Sequence, residues 1–173
     1  MKPSLTDQLC TRCGLCCDGS LFADVELVGS AEAAGLEVMG LEIEEDDTDG
    51  ALLVQPCAAL HGKRCGIYAH RPDCCRTFEC RLLQDARRGA VSVREAEEHI
   101  AETVKRVGRV RKLAAELGQS DVRLPLKERY ADALALSDDA AVTPALKRKR
   151  ADLEAEMAAV ARSIRESFLL DSD

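Results

Sequence analysis

The chain has 173 residues, 46% of them hydrophobic, yet its aromatics are only two Tyr and three Phe, with no Trp. That length suits one ordinary domain, or one small domain with an extension, and no stretch approaches the roughly 18 consecutive apolar residues that a membrane-spanning helix needs. The formal charge of −7 and the lack of aromatic platforms set the chain apart from nucleic-acid binders, which need a broad basic footprint and often stacking surfaces.

The opening MKPSLTDQLC has no apolar run of the length a signal peptide requires, which makes a cytoplasmic location the expectation. Between Asp18 and Asp49 the charge is all acidic, with eleven Asp and Glu and no Lys or Arg, ending in EIEEDDTD. This run reads as a solvated loop. Within it, SLFADVELV (20–28) alternates apolar Leu21, Ala23, Val25 and Leu27 and predicts a short strand. SAEAAGLEVMG then predicts one or two helical turns, with Ser30 as N-cap and Gly35 as the stop. ALLVQP (51–56) predicts a second strand closed by Pro56.

From Lys63 to Arg81 the sign reverses, with Lys63, Arg64, Arg71, Arg76 and Arg81 outnumbering Asp73 and Glu79. Turn chemistry dominates here, leaving room for one short helix over Asp73 to Leu83. After Gly89 the character changes. SVRE carries a capping box, Ser92 with Glu95, and opens a helix of about 25 residues. Its apolar series is Ala96, Ile100, Val104, Val107, Leu113 and Leu117, and it ends at Gly118. A shorter helix starts near Pro125, with Leu126, Tyr130 and Leu134 four apart. Thr143 then caps a last helix with Pro144 at its first position. Its stripe is Leu146, Leu153, Met157, Val160, Ile164 and Phe168.

The fold class expected is α+β, mainly α: a small cysteine-rich domain with short strands over 1–88, followed by an antiparallel helical extension over 89–173. The two long helices can bury their stripes on each other. The alternative is that they serve a protein partner or self-association.

All nine cysteines lie between Cys10 and Cys80. CTRCGLCC (10–17) places four of them in eight positions, and Cys57, Cys65, Cys74, Cys75 and Cys80 follow. A disulfide framework needs an oxidising compartment, and nine is an odd number. A redox-active C-x-x-C lacks the βαβ context of a thioredoxin-like domain. Metal ligation fits best, because thiolates two residues apart can turn toward one ion, the spacing shared by zinc knuckles and iron–sulfur runs. Adjacent Cys16 and Cys17 point apart and so would serve two ions, or two metals of one polynuclear site. Eight thiolates would satisfy two tetrahedral zinc ions, two four-iron clusters, or one of each. A domain this poor in aromatics and rich in turns buries too little to fold firmly alone, whereas a structural thiolate site contributes on the order of 10 kcal/mol. The basic residues around 63–81 would offset the thiolate charge or pair with the acidic stretch. His61 and His70 lie near cysteines and read as surface groups beside so many thiols. His99 reads as a solvated helix residue.

CTRCGLCC, the PC at 56–57 and CGIYAHRPDCCRTFEC (65–80) resemble the CxxCxxCC cysteine-cluster family of zinc- or iron-chelating domains. The matching residues are Cys10, Cys13, Gly14, Cys16 and Cys17, then Pro56 and Cys57, then Cys65, Ile67, Tyr68, Arg71, Pro72, Cys75, Arg76, Phe78 and Cys80. The resemblance covers residues 8 to 83 and implies a cofactor of zinc or iron, an iron–sulfur cluster included. It implies as ligands Cys10, Cys13, Cys16, Cys17, Cys57, Cys65, Cys75 and Cys80, and it leaves Cys74 as the extra cysteine. Tyr68 and Phe78 would pack the small core, and Arg71 and Arg76 would bond loop carbonyls or thiolates. Relatives suggest two activities, an iron–sulfur oxidoreductase and a flagellin-type lysine N-methylase, although no G-x-G loop or C-x3-C-x2-C motif supports a methyl donor here. Whether the chain is an enzyme, or an interaction module with a structural metal, stays open at this point.

Overall fold

The structure, a computed structural model, describes residues 4–45, 50–138 and 143–170, so the tail of the acidic run lies outside the described residues. It is the expected α+β, mainly α architecture, in two compact units, Met1–Glu79 and Cys80–Asp173.

The first unit begins with a helix absent from the expected elements, α1 (Leu5–Cys13). Its cause is local: the Ser4 hydroxyl accepts from the Asp7 N–H at 3.1 Å, and the Asp7 carboxylate accepts from the Ser4 N–H at 3.1 Å. Two N–H groups that a helix start leaves unpaired are thereby satisfied. Gly14 ends α1 with φ of 75°.

Three strands follow, β1 (Asp24–Glu26), β2 (Ile43–Glu45) and β3 (Ala51–Val54), in the antiparallel order β1-β3-β2. Val25 and Ile43 both face Leu53, the 2%-exposed centre of the sheet. The strand expected over 20–28 narrows to three residues, although Leu27 N–H to Ala51 O (2.8 Å) and Gln55 N–H to Ala23 O (3.0 Å) extend its pairing at both ends. β2 sits inside the acidic run, as an edge strand whose charged Glu44 and Glu45 stay exposed.

Between β1 and β2 lies α2 (Ser30–Val38), which corrects the expected capping. Gly29 takes the N-cap, so Ser30 is already helical. Gly35 does not stop the helix: it stands inside on an open side with nothing within 4 Å, and Gly40, at φ of 82°, takes the turn instead. Leu36 and Ala33 point inward to join Leu27, Leu41, Leu53 and Ala59 in a small aliphatic core. Ile67, Cys57, Cys74 and Cys75 pack against that core.

The rest of the unit is a hairpin of β4 (Leu60–His61) and β5 (Arg64–Cys65), a 3-10 turn over Tyr68–His70, and α3 (Asp73–Thr77). The single helix expected over Asp73 to Leu83 is two. Phe78 turns extended (φ −65°, ψ 124°) and meets Phe22 edge-on at 5.2 Å, and Cys80 (ψ 158°) caps α4 (Arg81–Arg87) in the second unit.

The second unit adds α5 (Val93–Glu116), α6 (Leu126–Asp138) and α7 (Pro144–Ser167). The Ser92–Glu95 capping box is present, and the Thr143 hydroxyl accepts from the Leu146 N–H at 3.1 Å. α5 and α7 are antiparallel: Thr103 meets Ser163 (2.6 Å), Arg109 meets Glu156 (3.0 Å) and Glu116 meets Lys149 (2.9 Å), so positions rise on one helix as they fall on the other. α6 presents Leu126, Arg129, Ala133 and Ser137 inward, while Tyr130 and Leu134 are only half-buried. The Arg81 N–H donates to the Phe168 carbonyl at 3.1 Å, fastening the start of α4 to the end of α7.

Candidate metal centre

Cys10 and Cys13 stand three residues apart on α1 and so share a face. Cys16 and Cys17 follow in the turn that Gly14 begins. The left-handed φ of Gly14 disfavours any side chain there, and a Cβ would stand in van der Waals contact with Lys63, 3.4 Å from its Cα. Lys63 belongs to the β4–β5 turn, and its ammonium donates to the Arg12 carbonyl at 2.7 Å, joining the end of α1 to the hairpin.

Backbone bonds draw three distant cysteines together. The Cys57 N–H donates to the Cys17 carbonyl at 2.8 Å, and the buried Gln55 side-chain oxygen lies 3.1 Å from the same N–H. The Cys57 carbonyl accepts from the Leu60 N–H at 2.9 Å, and Leu60 pairs with Cys65 across the hairpin. Cys75 comes in on α3, whose first N–H, that of Asp73, is held by the Glu32 carboxylate at 2.8 Å. Arg71 spans the gap: its guanidinium lies 3.8 Å from the Tyr68 ring centre and donates to the carbonyls of Tyr68 (3.3 Å) and Cys75 (3.4 Å).

None of the nine cysteines is in a disulfide. Burial, then the neighbouring Cys57 and Cys65 and the Asp18 carboxylate, push the Cys17 thiol up to about 12, with Arg71 pulling the other way. Cys75 is raised by burial and by Cys74, Cys17 and Cys57. Cys57 is raised by burial, partly offset by the Ala59 N–H, and by Cys65. Cys17, Cys57 and Cys75, three thiols that resist ionising together, are donors that a divalent cation suits, since the cation supplies the missing opposite charge. The donors fit zinc or iron by softness and number. The sulfurs are neighbours without converging: among the described residues, no three His, Cys, Asp or Glu side chains meet as placed at a point that holds an ion. Cysteine rotamers differ by rotation about one bond, so a sulfur can be re-aimed without moving backbone.

Cys74 has a different setting. Burial raises its thiol, the neighbouring Cys75 opposes this by hydrogen bonding, and the outside charge acting on it is Glu32. Cys80 is the N-cap residue of α4. His61, His70 and His99 are exposed, as expected. Tyr68 departs from expectation: at 46% exposed it does not pack the core but lies beneath Arg71. Arg71 bonds loop carbonyls as anticipated, whereas Arg76 reaches Asp73 on its own helix at 3.7 Å. Gln55, Glu32 and Lys63 were not singled out by spacing. Only their partners reveal them, because each acts on backbone remote in sequence or inside a turn.

A family profile for CxxCxxCC, described as "Putative zinc- or iron-chelating domain", matches residues 9–104, from the middle of α1 into α5. No curated protein and no solved structure matches the chain.

Proposed function

The chain belongs to the CxxCxxCC family, and from that premise we propose that it binds zinc or iron through Cys10, Cys13, Cys16, Cys17, Cys57, Cys65, Cys75 and Cys80, the metal holding the first unit in its fold. The observation that carries this is the gathering of Cys57, Cys74 and Cys75 against a small aliphatic core, with Cys17 bonded to Cys57 through the backbone, Cys65 paired with Leu60 across the hairpin, and the Arg71 guanidinium on the Cys75 carbonyl. A core of Leu and Ala side chains without Trp is thin for the roughly 60-residue lower range of self-sufficient domains, and cross-linking by a metal supplies what it lacks. Cys10 and Cys13 support the reading by sharing a face of α1, and Cys80 enters it on the family pattern. The cytoplasm, where thiols stay reduced, is the compartment that suits nine of them.

The protein's residues would do three things for the ion. Thiolates coordinate it, Arg71 offsets part of the negative charge that four thiolates leave on a divalent ion, and Tyr68 and the Cys75 carbonyl hold Arg71 in place. Metal and acid-labile sulfide analysis of anaerobically purified protein, with a visible spectrum before and after reduction, tests the proposal. Bound zinc or iron is expected. A colourless protein that holds neither and is indifferent to chelator contradicts it. Iron–sulfur electron transfer is the second reading: a reversible bleaching on reduction favours it, since zinc has no redox chemistry.

A further inference from the structure

Arg129 stands on the inward face of α6 with only 6% of its surface exposed, and its buried Nε has no hydrogen-bond partner. Among the described residues its guanidinium makes neither a hydrogen bond nor an ion pair. A guanidinium does not escape burial by losing its proton, and a buried charge without compensation is strongly destabilising. We propose that the first turn of α6, with Arg129 and Arg111, is a binding site for a phosphate group, either the free ion or a monoester. The site lies wholly in the second unit and is independent of the cysteines.

Three observations place it. The first is an uncapped helix start. Pro125 accepts the first helical bond, from the Arg129 N–H at 3.0 Å, and so holds the N-cap place, where its ring offers no oxygen to the N–H groups of Leu126, Lys127 and Glu128. The acid just upstream, Asp121, is already engaged: its carboxylate accepts from the Arg123 N–H at 2.9 Å and from the Arg123 guanidinium at 3.1 and 2.7 Å. The second is direction. Arg129 is the fourth residue of α6, and helical side chains lean toward the N-terminus over the preceding turn, which carries the buried guanidinium toward those N–H groups. Glu128, the acid of this turn, is exposed and so faces away from the inward Arg129.

The third is Arg111, toward the end of α5. Burial, and then the like charge of Arg111, push Arg129 below its ordinary value, with Asp121 acting the other way. Gln119 folds the connection between the two helices onto α6, donating to the Asp132 carboxylate at 2.9 Å and accepting from the Asp121 N–H at 2.9 Å. Two like charges and a turn of unpaired donors call for the same complement, a compact anion with several acceptor oxygens. A helix N-terminus favours negative charge, and the guanidinium fork matches phosphate geometry.

The test uses the full, metal-loaded chain. Backbone amide spectra are recorded as inorganic phosphate is added at constant ionic strength, in parallel with glycerol phosphate and with chloride. Saturable shifts of the Lys127, Glu128 and Arg129 amides are expected with phosphate or with glycerol phosphate and not with chloride, and the tighter of the two tells whether the site takes the free ion or an ester. Arg129→Met should fold, because an apolar residue of similar size commonly replaces a buried charge without loss of stability, and should bind about tenfold more weakly or worse. Arg111→Met should weaken binding in the same sense, and it decides the matter with the wild-type titration if Arg129→Met does not fold. No shift of the α6 amides, shifts that chloride reproduces, or unchanged affinity in the folded variants overturns the proposal.

Discussion

Arg71 makes one side chain answerable for several contacts around the thiols. Its guanidinium is fixed over Tyr68 and on two carbonyls before any charge appears on sulfur, so it is a preorganised counter-charge rather than a mobile one. Replacing such an outer partner weakens metal affinity by about 10- to 100-fold. Arg71→Ala should therefore lower zinc affinity by roughly that factor in a competition titration with a chromophoric chelator, and Arg71→Lys should recover only part, because an ammonium cannot reproduce the planar, forked geometry. Equal affinities for all three proteins would remove Arg71 from the account. Gly14 gives a second prediction at this scale. With φ of 75°, Gly14→Ala should cost about 1–2 kcal/mol, seen as a lower denaturation midpoint of the metal-loaded protein; an unchanged midpoint contradicts the strain assigned to that turn. The cysteines and Gly14 were legible in CTRCGLCC because spacing alone advertises them. Glu32, Gln55 and Lys63 were not, since Glu32 holds the N–H of a residue 41 positions away and Lys63 holds a carbonyl 51 positions away.

At the level of elements, α5 shows both what periodicity reveals and what it misses. Its buried positions are Ala96, Ile100, Thr103, Val107, Val110 and Ala114, followed by Leu117. That alternation of four and three makes one continuous buried face, packed on α7 and α6. Leu113 and Val104, apolar and therefore expected, are only half-buried, while Thr103 enters the core because its hydroxyl has partners in the His99 carbonyl (2.9 Å) and Ser163 (2.6 Å). Hydrophobicity alone cannot find a satisfied hydroxyl. The capping boxes were unequal for a related reason: the one at Ser92 precedes a long apolar stripe, whereas the one at Ser4 precedes a helix with little apolar sequence beyond Leu5 and Leu9. Ser92→Ala should cost about 1 kcal/mol of stability. Its pH dependence follows from Glu95, whose carboxyl is held below its ordinary 4.5 chiefly by hydrogen bonds from Ser92. A lowered folded value means that the carboxylate's contribution is complete above 4.5 and is lost as pH falls through the lower value. The difference between wild type and Ser92→Ala in urea melts should thus be constant from neutral pH to about 5 and shrink in stronger acid. A difference that grows on acidification contradicts the box.

On the scale of the whole molecule, the two units obtain their stability by different means. The second is a helical assembly closed by apolar stripes and ion pairs such as Arg109–Glu156 and Lys149–Glu116. The first has short strands, short helices and a core of Leu and Ala bordered by Cys57, Cys74 and Cys75. Composition foretold this contrast, since every cysteine precedes residue 81 and no apolar stripe as long as those of α5 and α7 does. What it did not foretell was the grouping of the cysteines, which depends on the β4–β5 return and on α3 being held by Glu32. The central claim is that a cysteine-bound metal secures the first unit. Hydrogen exchange of the full chain, read by mass spectrometry over residues 51–65 with and without a zinc- and iron-stripping chelator, tests it most directly. The account predicts that the amides of β3 and of the β4–β5 hairpin are protected in the metal-loaded protein and exchange at near-unfolded rates once the metal is removed. Equal protection in both states would contradict it.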